Sequence, residues 1–363
     1  MNEDFLHNKI TQRKDQNAHR QLRSGTTGID FCSNDYLGIV KNDLLQTETQ
    51  AYKSGSTGSR LLTGNNTLTD ETESLIADFH QSASALIFNS GYDANTGILS
   101  CVPQRGDTVL YDYLSHASIR DGLRLGLAQH FSFGHNDIND LEKKLSVAKG
   151  NVFVVTESVF SMDGDTAPLE KLAGLCRKYN AFLIIDEAHA TGIIGKRGEG
   201  LVQQMGLQDL CFARIHTFGK ALGCHGAVVL GSEILRDYLI NFSRSFIYTT
   251  ALPPVSIAAI RAAYHIFPAM EKERVHLENM IAHFQSADLQ YTKLPGSMPV
   301  QSVIIPGNDQ VKEVAEKCLR AGFDVRAILY PTVPKGVERL RVVLHAFNTM
   351  DELDGLIDIL SHT

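Results

Sequence analysis

Several patterns that mark particular classes of protein are missing from this sequence. It has no block of Lys and Arg, and its 41 acidic residues outnumber its 34 basic ones, which gives a net charge of −7. This balance argues against nucleic acid as a partner. No window approaches roughly 18 consecutive apolar residues, so the sequence offers no candidate membrane span.

The cysteines and the N-terminal segment argue against further classes. The segment MNEDFLHNKITQRKD is polar and carries acids, unlike a secretory signal or a transit peptide. The six cysteines contain no CxxC pair, so we expect reduced thiols and neither a disulfide scaffold nor a metal site. They are Cys32, Cys101, Cys176, Cys211, Cys224 and Cys318. We therefore expect a cytoplasmic protein.

The sequence does contain an alternation of short apolar runs and amphipathic segments. With 43% hydrophobic and 21% charged residues, its 363 residues can build a substantial core. Amphipathic segments such as 67–80 and 168–180 alternate with runs typical of strands that are covered on both faces. These runs are ALIF (85–88), TVLYD (108–112), NVFVVTE (151–157), AFLIIDEA (181–188), CFARIHTF (211–218) and AVVLG (227–231). The alternation predicts an α/β fold with a mainly parallel sheet between helices.

The pattern changes after the double proline Pro253-Pro254, which we interpret as a hinge. A helical stretch (254–289) is followed by two strand-like runs (300–307 and 339–346) that flank a helix (309–321). This order predicts a smaller α+β domain. The predicted bounds are 1–45 for an N-terminal segment, 46–252 for the large domain and 253–363 for the small C-terminal domain.

The groups that follow the predicted strands form a consistent set, and ligands of open α/β sheets bind at the carboxyl ends of strands. Asn89-Ser90-Gly91-Tyr92 leads into a helix, whose N-terminus favours anions. The other strands carry, near or after their ends, His116, Ser161, Asp186, His189, Thr217 and Lys220. Pyridoxal phosphate needs a lysine amine for its aldehyde, an acid for its ring nitrogen and an anion site for its phosphate. We therefore predict a pyridoxal-phosphate site in which Lys220 binds the aldehyde.

Each of these groups also has a simpler explanation. Asp186 could cap a helix, Ser90-Gly91 could form only a turn, and Lys220 could be a surface lysine. A single histidine among 14 is more often a surface or hydrogen-bonded residue than a catalyst. The coincidence of five strand ends favours the cofactor site.

Longer motifs extend over nearly the whole chain. They are FCSNDYLG (31–38), GSTGSRLLTGNN (55–66), NSGYDANTG (89–97), SHASIRDG (115–122), TESVFSMDGD (156–165), DEAHATGIIGKRGEG (186–200), HTFGKALGCHG (216–226), IYTTALPP (247–254) and YPTVPKGVERLRV (330–342). In content and order the chain resembles the α-oxoamine synthase family of fold-type I pyridoxal-phosphate enzymes. The resemblance implies the fold-type I transferase fold and a homodimer. The segment between AHRQLRSG and IDFCSNDYLG is shorter than the family pattern, as if a small hairpin were missing.

The resemblance implies catalytic roles for four side chains. Lys220 would hold the cofactor, and Asp186 would keep its ring nitrogen protonated. His189 would hydrogen-bond its phenolic oxygen, and His116 would stack on the ring, with Ser161 nearby.

The resemblance also implies the contacts of the phosphate. The backbone amides of Gly91 and Tyr92 would bind it together with Thr217. Thr249 and Thr250 would approach the phosphate of the neighbouring subunit, although they could instead end a strand and cap the following helix.

The implied substrates are an amino acid and an acyl thioester. His116, Thr332 and Arg341 look like substrate contacts, with Arg341 suited to a carboxylate. Arg20 is the best match for an N-terminal substrate-binding arginine, and Arg23 is the alternative. The implied reaction is the decarboxylative condensation of L-alanine with a pimeloyl thioester in biotin synthesis. The carrier could be coenzyme A or an acyl-carrier protein. Open alternatives are a family member that acylates glycine or serine, such as a glycine C-acetyltransferase, and a catalytically silent homologue.

Overall fold

The structure, a computed structural model, describes residues 2–22, 25 and 28–362 of the chain. These residues group into two units. The large unit comprises Leu37–Ser161 and Thr166–Lys272, and the small unit comprises the residues up to Tyr36, Met162–Asp165 and the residues from Glu273 onward. Within the described ranges, no helix is both long enough and apolar enough to cross a membrane.

Short strands and helices alternate along the chain. The strands are β1 (Ile29–Asp30), β2 (Ser84–Phe88), β3 (Thr108–Asp112), β4 (Gln129–Phe133), β5 (Val152–Glu157), β6 (Phe182–Asp186), β7 (Ala213–Thr217), β8 (Ala227–Gly231), β9 (Thr292–Lys293), β10 (Val300–Ile304), β11 (Phe323–Asp324), β12 (Arg326–Ile328) and β13 (Arg339–Val343). The α-helices are α1 (Asp4–Asp15), α2 (Gln46–Thr49), α3 (Thr67–Phe79), α4 (Gly91–Cys101), α5 (Ala117–Leu125), α6 (Ile138–Leu145), α7 (Leu169–Tyr179), α8 (Leu201–Gln204), α9 (Glu233–Phe242), α10 (Arg244–Ile247), α11 (Pro254–Ile266), α12 (Glu271–Ser286), α13 (Asn308–Arg320) and α14 (Met350–Ser361). A π-helical turn (Arg60–Gly64) and two 3₁₀ turns (Gln208–Leu210 and Phe267–Ala269) complete the helical segments of the described residues.

The large unit is built on one sheet. Among the described residues, seven strands follow the order β2-β8-β7-β6-β5-β3-β4. Strand β8 pairs antiparallel with both β2 and β7, and the other neighbours pair in parallel. Strands β2 and β7 therefore run in the same direction, and the carboxyl ends of β2, β3, β5, β6 and β7 lie at one edge of the sheet.

The sheet is stabilised by apolar cores on both faces. Successive residues of a strand point to opposite faces. Accordingly, Val155 and Ile184 belong to one buried cluster, whereas their sequence neighbours Val154 and Ile185 belong to another. Burial on both faces explains why these strands are continuous apolar runs and do not alternate with polar residues.

The elements of the large unit differ from the sequence-based expectation in two places. The sequence did not predict strand β4. This strand lies at the edge of the sheet and its first three residues are exposed, so it is not a continuous apolar run. The helical stretch expected over 254–289 is not one continuous helix, since it consists of α11 and α12 separated by the 3₁₀ turn Phe267–Ala269. Pro268 lies in this turn, and proline has no backbone N–H to continue a helix.

The small unit contains a separate antiparallel sheet. Its described strands follow the order β12-β13-β10-β9, and β1 pairs in parallel with β11. The runs and the helix expected after residue 300 correspond to β10, α13 and β13. Helix α11 packs on α3 within the large unit, which therefore extends beyond the predicted boundary at residue 253. The predicted division into three segments stays a prediction.

Candidate active site

Five strands of the large unit carry polar residues at the same edge of the sheet. Glu157, Asp186 and Thr217 are the last residues of β5, β6 and β7. Gly91 begins the helix that follows β2, and His116 caps the helix that follows β3. The sheet order thus places four of the predicted cofactor residues in one row, and the fifth group, Glu157, was not predicted.

The N-terminus of α4 and the end of β7 form a cradle for an anion. Ser90 caps α4 by accepting the backbone N–H of Asp93 at 3.0 Å. A Cβ atom on Gly91 would lie 2.5 Å from Thr217 Cγ2, so only glycine lets these segments approach so closely. The Thr217 Oγ1 atom is buried and has no hydrogen-bond partner among the described residues. A helix N-terminus beside an unpaired hydroxyl is suited to a phosphate.

Tyr92 contributes to this cradle through its backbone. As the second residue of α4, it belongs to the first turn, whose N–H groups have no acceptor inside the helix. Its side chain is exposed, and the hydroxyl donates to Asp121 Oδ2 at 2.6 Å. The backbone amide of Tyr92 can therefore play the predicted role, and its phenol ring cannot.

Thr249 and Thr250 lie beside the carboxyl end of β2 in their own chain. Asn89 Nδ2 donates to Thr249 Oγ1 at 2.8 Å and to the backbone oxygen of Thr250 at 2.9 Å. Asn89 directly precedes the Ser90 cap, so the two threonines adjoin the anion cradle. Their contact with a neighbouring subunit's cofactor stays a prediction.

Asp186 is buried, and both of its carboxylate oxygens accept hydrogen bonds. Asn95 Nδ2 donates to Oδ2 at 2.7 Å, and the backbone N–H of Ala188 donates to Oδ1 at 2.8 Å. Only 5% of Asp186 is exposed to solvent. A buried carboxylate held in this way is a suitable partner for a cationic ring nitrogen.

His116 lies at the start of α5 with its ring held by the first turn of that helix. Its Nδ1 atom is 2.8 Å from Ser118 Oγ and accepts the backbone N–H of Ser118 at 3.2 Å. Burial lowers the pKa of the imidazole; Asp186 opposes the shift, and Lys220 reinforces it. The ring is therefore neutral at physiological pH.

Glu157 is a site residue that sequence reasoning missed. It is the Cα partner of Asp186 across β5 and β6, and its Oε1 accepts the backbone N–H of His116 at 2.6 Å. Burial and the charge of Asp186 raise the pKa of Glu157 to about 8. Its only sequence signal was an acid at the end of a fully apolar strand, in the motif NVFVVTE.

Lys220 follows β7 in a tight turn, where Gly223 donates its N–H to the Lys220 carbonyl at 2.8 Å. The lysine is half-buried, and its charge adds to the lowering of the pKa of His116 and opposes the rise of the pKa of Glu157. His189 is buried three residues after Asp186. Ser161 is half-buried in the segment after β5.

Three of the predicted substrate residues, Arg20, Thr332 and Arg341, lie in the small unit, and His116 lies in the large unit. Arg20 Nη2 donates to Thr332 Oγ1 at 2.9 Å, so two of them are brought together. Arg341 Nη2 donates to Asn34 Oδ1 at 3.0 Å. The alternative candidate, Arg23, lies outside the described residues.

The groups of the large unit fit pyridoxal phosphate. The unpaired Thr217 hydroxyl and the α4 N-terminus match the phosphate, Asp186 matches the ring nitrogen, and Lys220 supplies the amine. In the described part of the chain, no group of three or more His, Cys, Asp or Glu side chains could hold a metal ion.

Residues 26–360 of the sequence match the aminotransferase class I and II family. The chain belongs to this family. It is 41% identical to a protein from Emericella nidulans named 8-amino-7-oxononanoate synthase, over 99% of this chain and 95% of that protein.

Two solved structures support the same assignment. The 8-amino-7-oxononanoate synthase of Francisella tularensis is 29% identical, with a TM-score of 0.77 over 92% of this chain and 97% of that chain. A lysine-to-alanine variant of serine palmitoyltransferase from S. paucimobilis, with a bound PLP–myriocin aldimine, is 25% identical, with a TM-score of 0.87 over 99% and 96% of the two chains. These comparisons confirm the predicted resemblance and the predicted fold class.

Proposed function

We propose that this chain is a pyridoxal-phosphate-dependent C-acyltransferase that forms 8-amino-7-oxononanoate from L-alanine and a pimeloyl thioester, a step of biotin synthesis. The observation that carries the proposal is the similarity, over nearly the full length, to a relative of that name at 41% identity. The cofactor is pyridoxal 5'-phosphate, whose three chemical requirements are met by Lys220, Asp186 and the anion cradle.

Each part of the cofactor has a designated residue in this proposal. Lys220 Nζ binds the aldehyde, Asp186 pairs with the ring nitrogen, and Thr217 binds the phosphate together with the first amides of α4. When bound, the cofactor supplies an electron-poor ring that accepts the electron pair released at the amino-acid Cα. His189 would hold the ring through a hydrogen bond to its phenolic oxygen, and His116 would stack on its face.

The side chains of the large unit also move the proton. Once the amino group of the substrate has replaced it at the aldehyde, the free Lys220 Nζ would take the proton from the amino-acid Cα and later return one, which is general base and acid catalysis. Asp186 keeps its charge in a fixed orientation because Asn95 and Ala188 hold its two oxygens. In the overall reaction a bond forms between Cα and the thioester carbonyl carbon, the C–S bond breaks, and the alanine carboxyl group leaves as carbon dioxide.

Besides His116 of the large unit, the proposed substrate contacts come from the small unit. The Arg341 guanidinium, oriented by Asn34, is suited to a bidentate grip on a carboxylate. Arg20 and Thr332, joined by their own hydrogen bond, form a second polar contact. We include a cytoplasmic location and a homodimer in the proposal.

A second candidate is another α-oxoamine synthase that uses glycine or serine. It is favoured by the serine palmitoyltransferase structure, which matches 99% of the chain with a TM-score of 0.87. The sequence identity to that structure is 25%, against 41% to the oxononanoate synthase relative, and this difference favours alanine. A catalytically silent homologue is disfavoured because Lys220 and Asp186 are both present.

A substrate panel tests the proposal. Purified enzyme is supplied with alanine, glycine or serine, each combined with pimeloyl-, acetyl- or palmitoyl-coenzyme A and with pimeloyl-acyl-carrier protein, and products are identified by mass. We expect turnover with alanine and a pimeloyl thioester, with release of carbon dioxide. Preferred turnover of glycine or serine would establish the second candidate, and the two pimeloyl donors decide the carrier.

A further inference from the structure

Four side chains of the large unit form a hydrogen-bonded chain that sequence reasoning did not anticipate. Asn95 Nδ2 lies 2.7 Å from Asp186 Oδ2 and 3.1 Å from Ser118 Oγ. Ser118 Oγ in turn lies 2.8 Å from His116 Nδ1. Asn95 and Ser118 are 2% and 1% exposed, so water does not compete for these bonds.

The direction of each bond in this chain can be assigned. The two hydrogens of Asn95 Nδ2 donate to Asp186 and to Ser118, since a carboxylate only accepts. The opposite amide orientation would place the carbonyl oxygen of Asn95 against the carboxylate.

The ring nitrogen at the other end is an acceptor. The backbone N–H of Ser118 also points at His116 Nδ1, at 3.2 Å, so Nδ1 carries no proton. The single hydroxyl proton of Ser118 therefore donates to Nδ1 as well, and the ring proton is on Nε2.

The amide of Asn95 uses its donor and not its acceptor at this position. Its carbonyl oxygen, Oδ1, is buried without a hydrogen-bond partner among the described residues. A buried polar atom in that state destabilises the fold, and an apolar side chain would avoid the penalty. Stability alone therefore does not explain an asparagine in the middle of α4.

We propose that Asn95 and Ser118 are positioning residues that hold His116 as the neutral Nε2–H tautomer, with the Asp186 carboxylate as the fixed end of the chain. The proposal rests on the proposed function in assigning His116 to the face of the cofactor. There, a single tautomer presents Nε2–H as a donor and fixes the plane of the ring. The charged groups that act on this ring are Asp186, Lys220, Arg120 and Asp121, and the carboxyl group of Glu157 holds its backbone N–H.

Nitrogen NMR of the full-length holoenzyme, labelled with ¹⁵N-histidine, tests this proposal. A His116→Gln variant identifies the His116 signals. We expect one protonated nitrogen, Nε2, and one unprotonated nitrogen, Nδ1, at neutral pH. In Ser118→Ala and in Asn95→Leu this pattern should be lost to a mixture of tautomers. A His116 ring that is protonated at Nδ1 in the wild type, or that is unchanged in both variants, would overturn the proposal.

A matched control separates positioning from general loosening of α4. Thr96 is the next residue of the helix and is also buried, but its hydroxyl bonds only to the carbonyls of Tyr92 and Asp93 in the same helix. Thr96→Ala should lower the melting temperature and leave the His116 signals unchanged. If it alters these signals as much as Asn95→Leu does, positioning by the amide is refuted.

The kinetic consequence is a lower kcat with little change in KM for the amino acid. We expect kcat to fall by up to about a hundredfold in Ser118→Ala, the scale associated with a small misplacement near the reacting atoms. An unchanged kcat in a variant whose tautomer has changed would refute the positioning role.

Failure of this inference and failure of the proposed function give different results. Borohydride labelling of Lys220 tests the cofactor site without reference to Asn95 or Ser118. Labelling at Lys220 with an unaltered tautomer in both variants overturns only the positioning role. The expected tautomer pattern without labelling overturns only the proposed function.

Discussion

Glu157 and Asp186 lie directly opposite each other at the carboxyl ends of two adjacent parallel strands, and both are almost completely buried. Two buried carboxyl groups at neighbouring strand positions cannot both be ionised without a large penalty. Burial first and the Asp186 charge second raise the pKa of Glu157 from its usual 4.5 to about 8. Glu157 is therefore the protonated member of the pair at neutral pH.

This pair predicts a pH dependence of stability. Between about pH 4.5 and about pH 8, Glu157 ionises in the unfolded chain but stays protonated in the folded protein. The folded state then binds the extra proton, so its stability decreases as pH rises through this window. Glu157→Gln keeps an acceptor for the backbone N–H of His116 and removes the titratable carboxyl group. Urea unfolding across the window should show a smaller loss of stability in the variant, and parallel pH profiles would contradict the assignment.

Asp186→Asn should separate cofactor binding from catalysis. Asparagine keeps the shape of the side chain but not the charge that would hold the ring nitrogen protonated, so we expect kcat to fall by about two orders of magnitude or more. The variant should still bind some cofactor, as measured by absorbance after gel filtration. Near-normal turnover would mean that Asp186 is only a cap.

The matched control for that variant is Asp112→Asn. Asp112 is also a buried acid at a strand end, but it accepts from His135 and from the backbone of Leu114 and Asn136. We expect this variant to be less stable and to keep its cofactor content.

Thr217→Val should weaken cofactor binding without lowering the stability of the apo-protein. Valine keeps the methyl group that contacts Gly91 and removes a buried hydroxyl without a partner among the described residues. The melting temperature of the apo-protein should stay the same or rise. A lost hydrogen bond to a phosphate weakens cofactor binding by about 1.5–3 kcal/mol, or roughly 10- to 150-fold in Kd. A destabilised apo-protein with unchanged cofactor affinity would be the contrary result.

Lys220 should be the lysine that binds the cofactor. The purified protein should absorb visible light, and borohydride reduction should attach the cofactor mass to the peptide that contains Lys220. Mass spectrometry of the digest identifies the site. Lys220→Ala is the control and should lose both the absorbance and the adduct; an adduct on another lysine would refute the assignment.

Mixing damaged subunits tests whether Thr249 and Thr250 serve the neighbouring site of a homodimer. A Lys220→Ala chain is mixed with a Thr249→Ala/Thr250→Ala chain under conditions that allow subunit exchange. If the threonines act across the interface, the heterodimer has one intact site and one doubly damaged site, so activity exceeds the average of the parents. If they act beside Asn89 in their own chain, each site keeps one lesion and the average is observed. A fully active monomer in sedimentation at assay concentration would also refute sharing.

The sequence was sufficient to identify the strands that carry the site. Buried strands in a parallel sheet are continuous apolar runs, and this local property can be recognised in the sequence without knowledge of the fold. The groups after these runs could be assigned to one edge, because parallel strands end on the same side. Lys220, Asp186 and Gly91 were predicted in this way.

Elements whose form depends on their surroundings were harder to predict. Strand β4 has an exposed, partly polar sequence and exists because β3 offers an edge for pairing. Helix α11 looks continuous with α12 in its apolar pattern, and it was assigned to the small domain because a double proline precedes it. Packing on α3 places it in the large unit instead.

Only the tertiary structure could reveal Asn95, Ser118 and Glu157 as parts of the site. Asn95 is 91 residues from Asp186 in the chain, and nothing in the local sequence of α4 distinguishes its amide from that of a surface asparagine. The packing of α4 on α5 brings Asn95 to Ser118, and the register of β5 against β6 places Glu157 opposite Asp186. The periodicity of the sequence identifies which face of an element is buried. The partner of a buried polar atom, however, is set by the packing of elements that are far apart in the chain, and only the folded structure shows that packing.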